Sequence, residues 1–156
     1  MLLLSPLACQ QNGKEEQDQP ALGVIVPLSG STATMGSSIV RDLQMLNLKT
    51  LALHFEDDQC DPKQAISVYR RLRLKSVKYF YLACSGSVLA LAPLAKKDGT
   101  LIITAYAGAS AIRTTGPEVI RYIPDALSIS QEIVKYLRQR NDARIGLLHE
   151  EQDWQR

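Results

Sequence analysis

Leu51-Ala52-Leu53-His54-Phe55-Glu56-Asp57-Asp58-Gln59-Cys60-Asp61-Pro62-Lys63-Gln64-Ala65 carries three structural signals in succession. Leu51–Phe55 reads as a short strand, and three carboxylates follow it. Asp61-Pro62 then opens a helix in the favoured way, with an Asp at the cap and a Pro in the first turn. Ala65, Val68, Tyr69 and Leu72 recur on one face of that helix. A strand that turns directly into a capped amphipathic helix is half of a βαβ unit.

The same alternation extends in both directions. Upstream, Leu22–Val26 is an almost continuous apolar run stopped by Pro27, as expected for a buried parallel strand. A hydroxyl-rich loop, Ser29 to Gly36, precedes a helical stripe of Ile39, Leu43 and Leu46. Downstream, Tyr79–Ala83 reads as a third strand, and Ser85 or Ser87 can cap a helix running to about Asp98. Leu101–Thr104 is a fourth strand and Val119–Ile123 a shorter fifth. Ser128-Ile129-Ser130-Gln131 resembles a capping box ahead of Ile133, Val134 and Leu137, and Arg144–Glu150 reads as a last strand. Strands separated by helices predict a doubly wound, mostly parallel α/β sheet with right-handed crossovers. Ligands in such sheets sit beyond the carboxyl ends of the strands, where the loops at 28–36, 84–87 and 105–110 fall.

Composition narrows the function classes. The 156 residues are 46% hydrophobic and 22% charged, ordinary for one globular domain. A net charge of +2 gives no reason to expect nucleic acid. The longest internal apolar run, Val88 to Ala95, has eight residues, far below the ~20 that a membrane-crossing helix needs.

No enzyme site assembles. Neither G-x-G-x-x-G nor G-x-x-x-x-G-K-[ST] occurs, and Ser85-Gly86-Ser87 lacks the first glycine of a nucleophile elbow. His54 and His149, the two histidines, both fall in apparent strands and read as packed or edge side chains. Glu56-Asp57-Asp58 could hold a cation, although a solvated turn is the plainer reading. Arg70, Arg71, Arg73, Lys75 and Lys78 read as the wet face of a helix and its following loop. With no nucleophile, base and orienter in reach, neither catalysis nor a cofactor is expected. An enzyme on a flavodoxin-like sheet would need a cofactor loop that the sequence lacks.

The N-terminal segment has its own pattern. Met1 to Leu7 is mostly apolar, Ala8-Cys9 follows, and Gln10–Pro20 is sharply polar. This resembles the tail of a bacterial lipoprotein signal, in which Cys9 would be acylated and residues up to 20 would include a hydrated tether. The alternative is a packed or frayed terminus with an inert cysteine. Cys60 and Cys84 follow the second and third strands, at the same sheet edge. The geometry permits a bridge between them in an oxidising compartment, and two buried thiols remain the alternative.

From residue 21 onward the sequence resembles the leucine/isoleucine/valine-type periplasmic solute-binding proteins of ABC transporters. The resemblance is carried by Gly23-Val24-Ile25-Val26-Pro27-Leu28-Ser29-Gly30, by Glu56 to Ala65, by Cys84-Ser85-Gly86-Ser87 with Ala92-Pro93-Leu94-Ala95, and by Arg121 to Asp125 and Arg144 to Arg156. It implies a two-lobed protein of the periplasmic-binding-protein-like I fold, with a ligand between the lobes. Residues 21–143 would be the first lobe and 144–156 the start of a second, truncated one. It further implies a Cys60–Cys84 disulfide, and a site at Ser85, Gly86, Tyr106, Ala107, Gly108 and Met35. The expected ligand is a small polar solute, a branched-chain or other neutral amino acid, whose carboxylate meets the helix start at Ser85. The expected partners are ABC permease subunits, and the place is the periplasm or the outer face of the cytoplasmic membrane. The membrane would be reached only through the lipid on Cys9.

Two features depart from the family pattern. Gly108 stands where a threonine hydroxyl often helps, and Asn47-Leu48-Lys49-Thr50 replaces a longer glycine-rich connection. A ligand-sensing receptor lobe of the same fold, or an inactive truncated remnant, are the other functions compatible with these residues.

Overall fold

The computed structural model describes residues 19–140 and 144–146. Cys9, most of the lipoprotein-type segment 1–20, His149 and the greater part of the strand expected at 144–150 lie outside the described residues. Arg144–Gly146, within them, is not in a strand.

The elements alternate as β1 (Ala21–Val26), α1 (Ala33–Met45), β2 (Ala52–Asp57), α2 (Pro62–Leu74), β3 (Tyr79–Leu82), α3 (Ser85–Asp98), β4 (Leu101–Thr104), a 3₁₀ turn (Ser110–Thr114), β5 (Val119–Arg121) and α4 (Ala126–Arg140). The five strands form one parallel sheet in the order β2-β1-β3-β4-β5. The first crossover runs one way from β1 and the later ones return past it, which makes the sheet doubly wound.

Each face of the sheet has its own core. On one face, Ile25, Phe80, Leu82 and Ile102 pack against Ala65, Val68, Tyr69 and Leu72 of α2 and Val88, Leu91 and Ala95 of α3. Tyr69 is buried there without an unsatisfied hydroxyl, since it bonds Thr100 (2.8 Å) and donates to Asp98 (3.0 Å). On the other face, Val24, Val26, Ala83 and Cys84 pack against Ile39 of α1. That helix approaches so closely that a Cβ at Gly36 would collide with the Pro27 carbonyl oxygen, so only glycine fits.

Several element boundaries differ from the sequence reading, each for a local reason. β2 runs on through Glu56 and Asp57, because their backbone continues the ladder opposite Ile25 and Val26. Leu46, expected on the buried stripe, caps the end of α1 and is exposed. The N-cap of α3 is Cys84, not Ser85 or Ser87, and its side chain makes no capping bond. α4 begins before the supposed capping box, because Asp125 takes that role by accepting from the Ser128 N–H (2.9 Å). β5 stops at Arg121, two residues short of the expected end.

Candidate functional site

All five strands point their carboxyl ends to one edge of the sheet, and the loops gathered there form a rim. The acidic turn is its most constrained part. Asp57 accepts from the Leu28 N–H (2.8 Å), the Ser29 hydroxyl (2.5 Å) and the Gln59 N–H (3.0 Å). Burial opposes its ionisation, but these donors outweigh that and hold its carboxyl below the usual carboxylate range. Its neighbour Asp58 is fully buried, accepting from the Ser87 hydroxyl (2.6 Å) and the Cys60 N–H (3.1 Å). For Asp58, burial dominates and pushes the carboxyl up. Glu56 pairs with Arg71 across β2 and α2 (2.6 Å).

The run Glu56-Asp57-Asp58 is therefore neither of the things its sequence suggested. It is not a solvated turn, because Asp58 is excluded from water. Nor is it a cation site: among the described residues no cluster of three His, Cys, Asp or Glu side chains could hold a metal ion. Its oxygens serve as acceptors that pin the β1 and β2 exits to the first turn of α3.

The Cys60–Cys84 bridge joins the same pieces, with Cα atoms 5.4 Å apart and a sequence separation of 24. β1 lies between β2 and β3 in the sheet, yet both exits reach the same edge. Closing a loop of this length stabilises a fold by about 3 kcal/mol in the chain-entropy account. The Thr32 hydroxyl contacts Cys60 Sγ (3.6 Å), which brings the loop after β1 to the bridge.

Ser85 is the first residue of α3. Its Oγ accepts the Ala109 N–H (3.2 Å), tying the helix start to the loop after β4. The first bond within α3 runs from the Val88 N–H to the Cys84 carbonyl (3.0 Å). The N–H groups of Ser85, Gly86 and Ser87 consequently have no acceptor inside the helix, and the helix dipole favours negative charge at that point. Gly86 lies against Pro62 of α2, where an added Cβ would be 3.3 Å from the ring. This packing favours a small residue at the start of the helix.

The loop after β4 contributes in a mixed way. Tyr106 is half-exposed, whereas Ala107 is buried in the core and its N–H bonds Thr104 Oγ1 (3.1 Å). Burial, with Tyr106 adding to it, pushes the Tyr81 phenol up to about 12, so it is neutral near pH 7. Gly108 has open space around it, and its carbonyl accepts the Ala126 N–H (2.9 Å). Met35, half-buried in α1, packs against the Val24 and Val26 side of the core.

A further group went unnoticed in sequence. Asp125 is buried and accepts from both Arg113 and Arg121, while Arg121 also donates to the Ala109 carbonyl (3.0 Å). The Arg113 hydrogen bond leads in holding the Asp125 carboxyl well below the usual range. The i, i+4 spacing of Arg121 and Asp125 was a visible signal; the approach of Arg113 from the 3₁₀ turn was not.

A family model described as "Periplasmic binding protein" matches residues 20–156. Comparison with curated protein sequences gave no match. Among solved structures, a solute-binding protein of an ABC transporter from Rhodopseudomonas palustris BisB5, in complex with 3,4-dihydroxybenzoic acid, is similar at a TM-score of 0.72 and 22% identity, with 78% of this chain and 36% of that one covered. A solute-binding protein from R. palustris in complex with benzoate is similar at 0.68 and 22%, covering 78% and 37%. The leucine-binding protein LivK from Thermotoga maritima MSB8 is similar at 0.69 and 15%, covering 78% and 37%. The chain thus spans little more than a third of the solved structures it resembles. With the family model spanning all but the first nineteen residues, the chain belongs to the periplasmic binding protein family.

Proposed function

We propose that residues 21–143 act as the first ligand-binding lobe of an ABC-transporter solute-binding protein, with 144–156 beginning a second lobe. In this reading the chain captures a small carboxylated solute outside the cytoplasm and presents it to permease subunits. It works by binding rather than catalysis, in the periplasm or at the outer membrane face, held there by a lipid on Cys9.

The observation that carries the reading is the start of α3. The N–H groups of Ser85 and Gly86, both part-exposed, lack an acceptor in the helix, and the Ser85 Oγ is held by the Ala109 N–H with its own proton left to donate. This is a donor set for a carboxylate, and the disulfide and Asp58 keep it in place before any ligand arrives. Ser85 and Gly86 meet the carboxylate; Tyr106, Gly108 and Met35 border the body of the solute, and Ala107 contributes only backbone. A neutral amino acid of the branched-chain type fits a site with one charged end and an apolar body.

A specific observation favours a second solute class at the same site. Gly108 supplies no hydroxyl for an ammonium group, and Tyr106 exposes a ring at the rim. Both features suit an aromatic acid, the ligand class in the two Rhodopseudomonas palustris structures described above.

Calorimetric titration with leucine, isoleucine, valine and 4-hydroxybenzoate tests the reading. At least one of these acids should bind, weakly because a single lobe leaves one side of the ligand in water, and Ser85→Ala should reduce that affinity about tenfold. No heat from any of the four at millimolar concentration contradicts it.

A further inference from the structure

The edge opposite the rim, where the strands begin, has a different character. From Pro62 to Lys97 the sequence holds eight Lys and Arg and no Asp or Glu, in a chain whose net charge is only +2. The topology collects most of this charge at one place. α2 and α3 both run away from the rim, so Lys75 just past the end of α2, and Lys96 and Lys97 in the last turn of α3, arrive at the opposite edge. Lys78 lies beside them, because its carbonyl accepts the Leu101 N–H (2.9 Å) that starts β4. Lys49, just before β2, is joined to the same edge through Gln19, which donates to its carbonyl (2.9 Å). All five lysines are exposed, and none is in an ion pair among the described residues. The acids on these elements are fewer: Asp98, exposed and accepting from Tyr69, Asp42 on α1, and Glu118, one of whose carboxylate oxygens is buried.

Large apolar side chains stand exposed among these cations. Leu74 is 88% exposed at the end of α2, Met45 77% and Leu46 62% at the end of α1. The turns that carry them all precede strands of one parallel sheet, so they project from the same side of the domain. Exposed apolar side chains on the same edge as exposed lysines suit the boundary between lipid headgroups and acyl chains, where the apolar groups insert and the cations meet phosphate. A polyanion in water, by contrast, would have no use for Leu74 or Met45. β1 also begins at this edge.

We infer that the strand-start edge, built on Leu74, Leu46, Met45 and the lysines around them, is a contact surface for an anionic lipid bilayer. The contact is additional to any lipid anchor and independent of which solute the rim takes.

Vesicle co-sedimentation of the full chain carrying Cys9→Ser, which removes any acyl contribution, tests this directly. Binding to phosphatidylglycerol–phosphatidylcholine vesicles should exceed binding to phosphatidylcholine alone and fall steeply with added salt. Lys75→Gln with Lys78→Gln should lower the partition roughly 30-fold, the equivalent of ~1 kcal/mol per removed cation. Leu74→Ser should weaken it at unchanged charge, and Lys135→Gln on α4 should leave it unchanged. Melting temperatures of the variants should match that of the parent, since all of these side chains are exposed. Equal partition into neutral and anionic vesicles, or a double variant that binds as well as the parent, overturns the inference. Retention on heparin without vesicle binding also overturns it, by identifying a soluble polyanion as the partner.

Discussion

At the strand-exit rim Asp57, Asp58, Ser87 and Asp125 each meet a partner, and a disulfide is laid across them. Helix α4, next along the chain, buries none of its residues and leaves Leu127, Ile133, Val134 and Tyr136 exposed. Both regions have the sequence of an ordinary amphipathic or polar segment, yet only one is held by tertiary contacts. A helix of this length without a partner face is marginal by its own propensity. It is anchored at its start, by the Asp125 cap and the bond from Ala126 to Gly108. Order at the rim comes from cross-links between loops, and a rim held in that way can stay in shape without a ligand.

The contrast should appear first in stability. Phe80→Ala, in the core beneath the rim, should cost about 3–5 kcal/mol in denaturant unfolding. Ile133→Ala on α4 should change stability by less than ~0.5 kcal/mol, and a comparable loss at both sites would break the comparison. Next in size, Cys60→Ser with Cys84→Ser should lower stability by about 3 kcal/mol, measured against the oxidised parent. Free-thiol labelling of the native, unreduced chain should find neither of these cysteines reactive.

A smaller effect separates two adjacent carboxylates by sign. Asp57 has its folded pKa below the ordinary 3.8, so its contribution is complete above that pH and is lost as pH falls through the folded value. Asp58 has its folded pKa above 3.8, so the reverse holds. Its contribution is largest in acid and declines as pH rises from 3.8 through the folded value. Asp57→Asn should therefore cost little in strong acid and more toward neutral pH. Asp58→Asn should cost most in acid, leaving Ser87 or Cys60 without its acceptor, a loss of about 1–3 kcal/mol. Unfolding midpoints across the acid range check both, and parallel profiles for the two variants would contradict the burial difference.

Much of this arrangement was legible before the fold was known. Apolar runs located the strands, because a parallel sheet covered on both faces asks for little else. Asp61-Pro62 fixed the start of α2, and its carboxylate does accept from the N–H groups of Lys63 and Gln64. What stayed hidden depends on contacts between distant residues. Glu56 and Asp57 have little propensity for strands, and β2 includes them because donors from the β1 loop and α2 satisfy their side chains. Ser87 reads as a helix cap, but its hydroxyl is taken by Asp58, 29 positions earlier. The surface inferred at the strand-start edge was equally hidden, since Lys75 and Lys78 read as the wet face of a helix and its following loop until the sheet brought Lys49 and Leu46 to the same edge. The apolar stripe of α4 was read correctly as helical, but helical period says nothing about whether a partner exists to cover it.

In the proposed function the part-exposed N–H groups of Ser85 and Gly86 at the start of α3 receive a solute's carboxylate. Nuclear magnetic resonance of the amide-labelled chain, titrated with leucine or 4-hydroxybenzoate and then with the primary amide of each, tests it most directly. The acid that binds should shift the Ser85, Gly86 and Ala109 amides, and its amide counterpart, lacking the carboxylate charge, should do so at least tenfold more weakly. Equal shifts from acid and amide, or shifts confined to residues away from this rim, would contradict it.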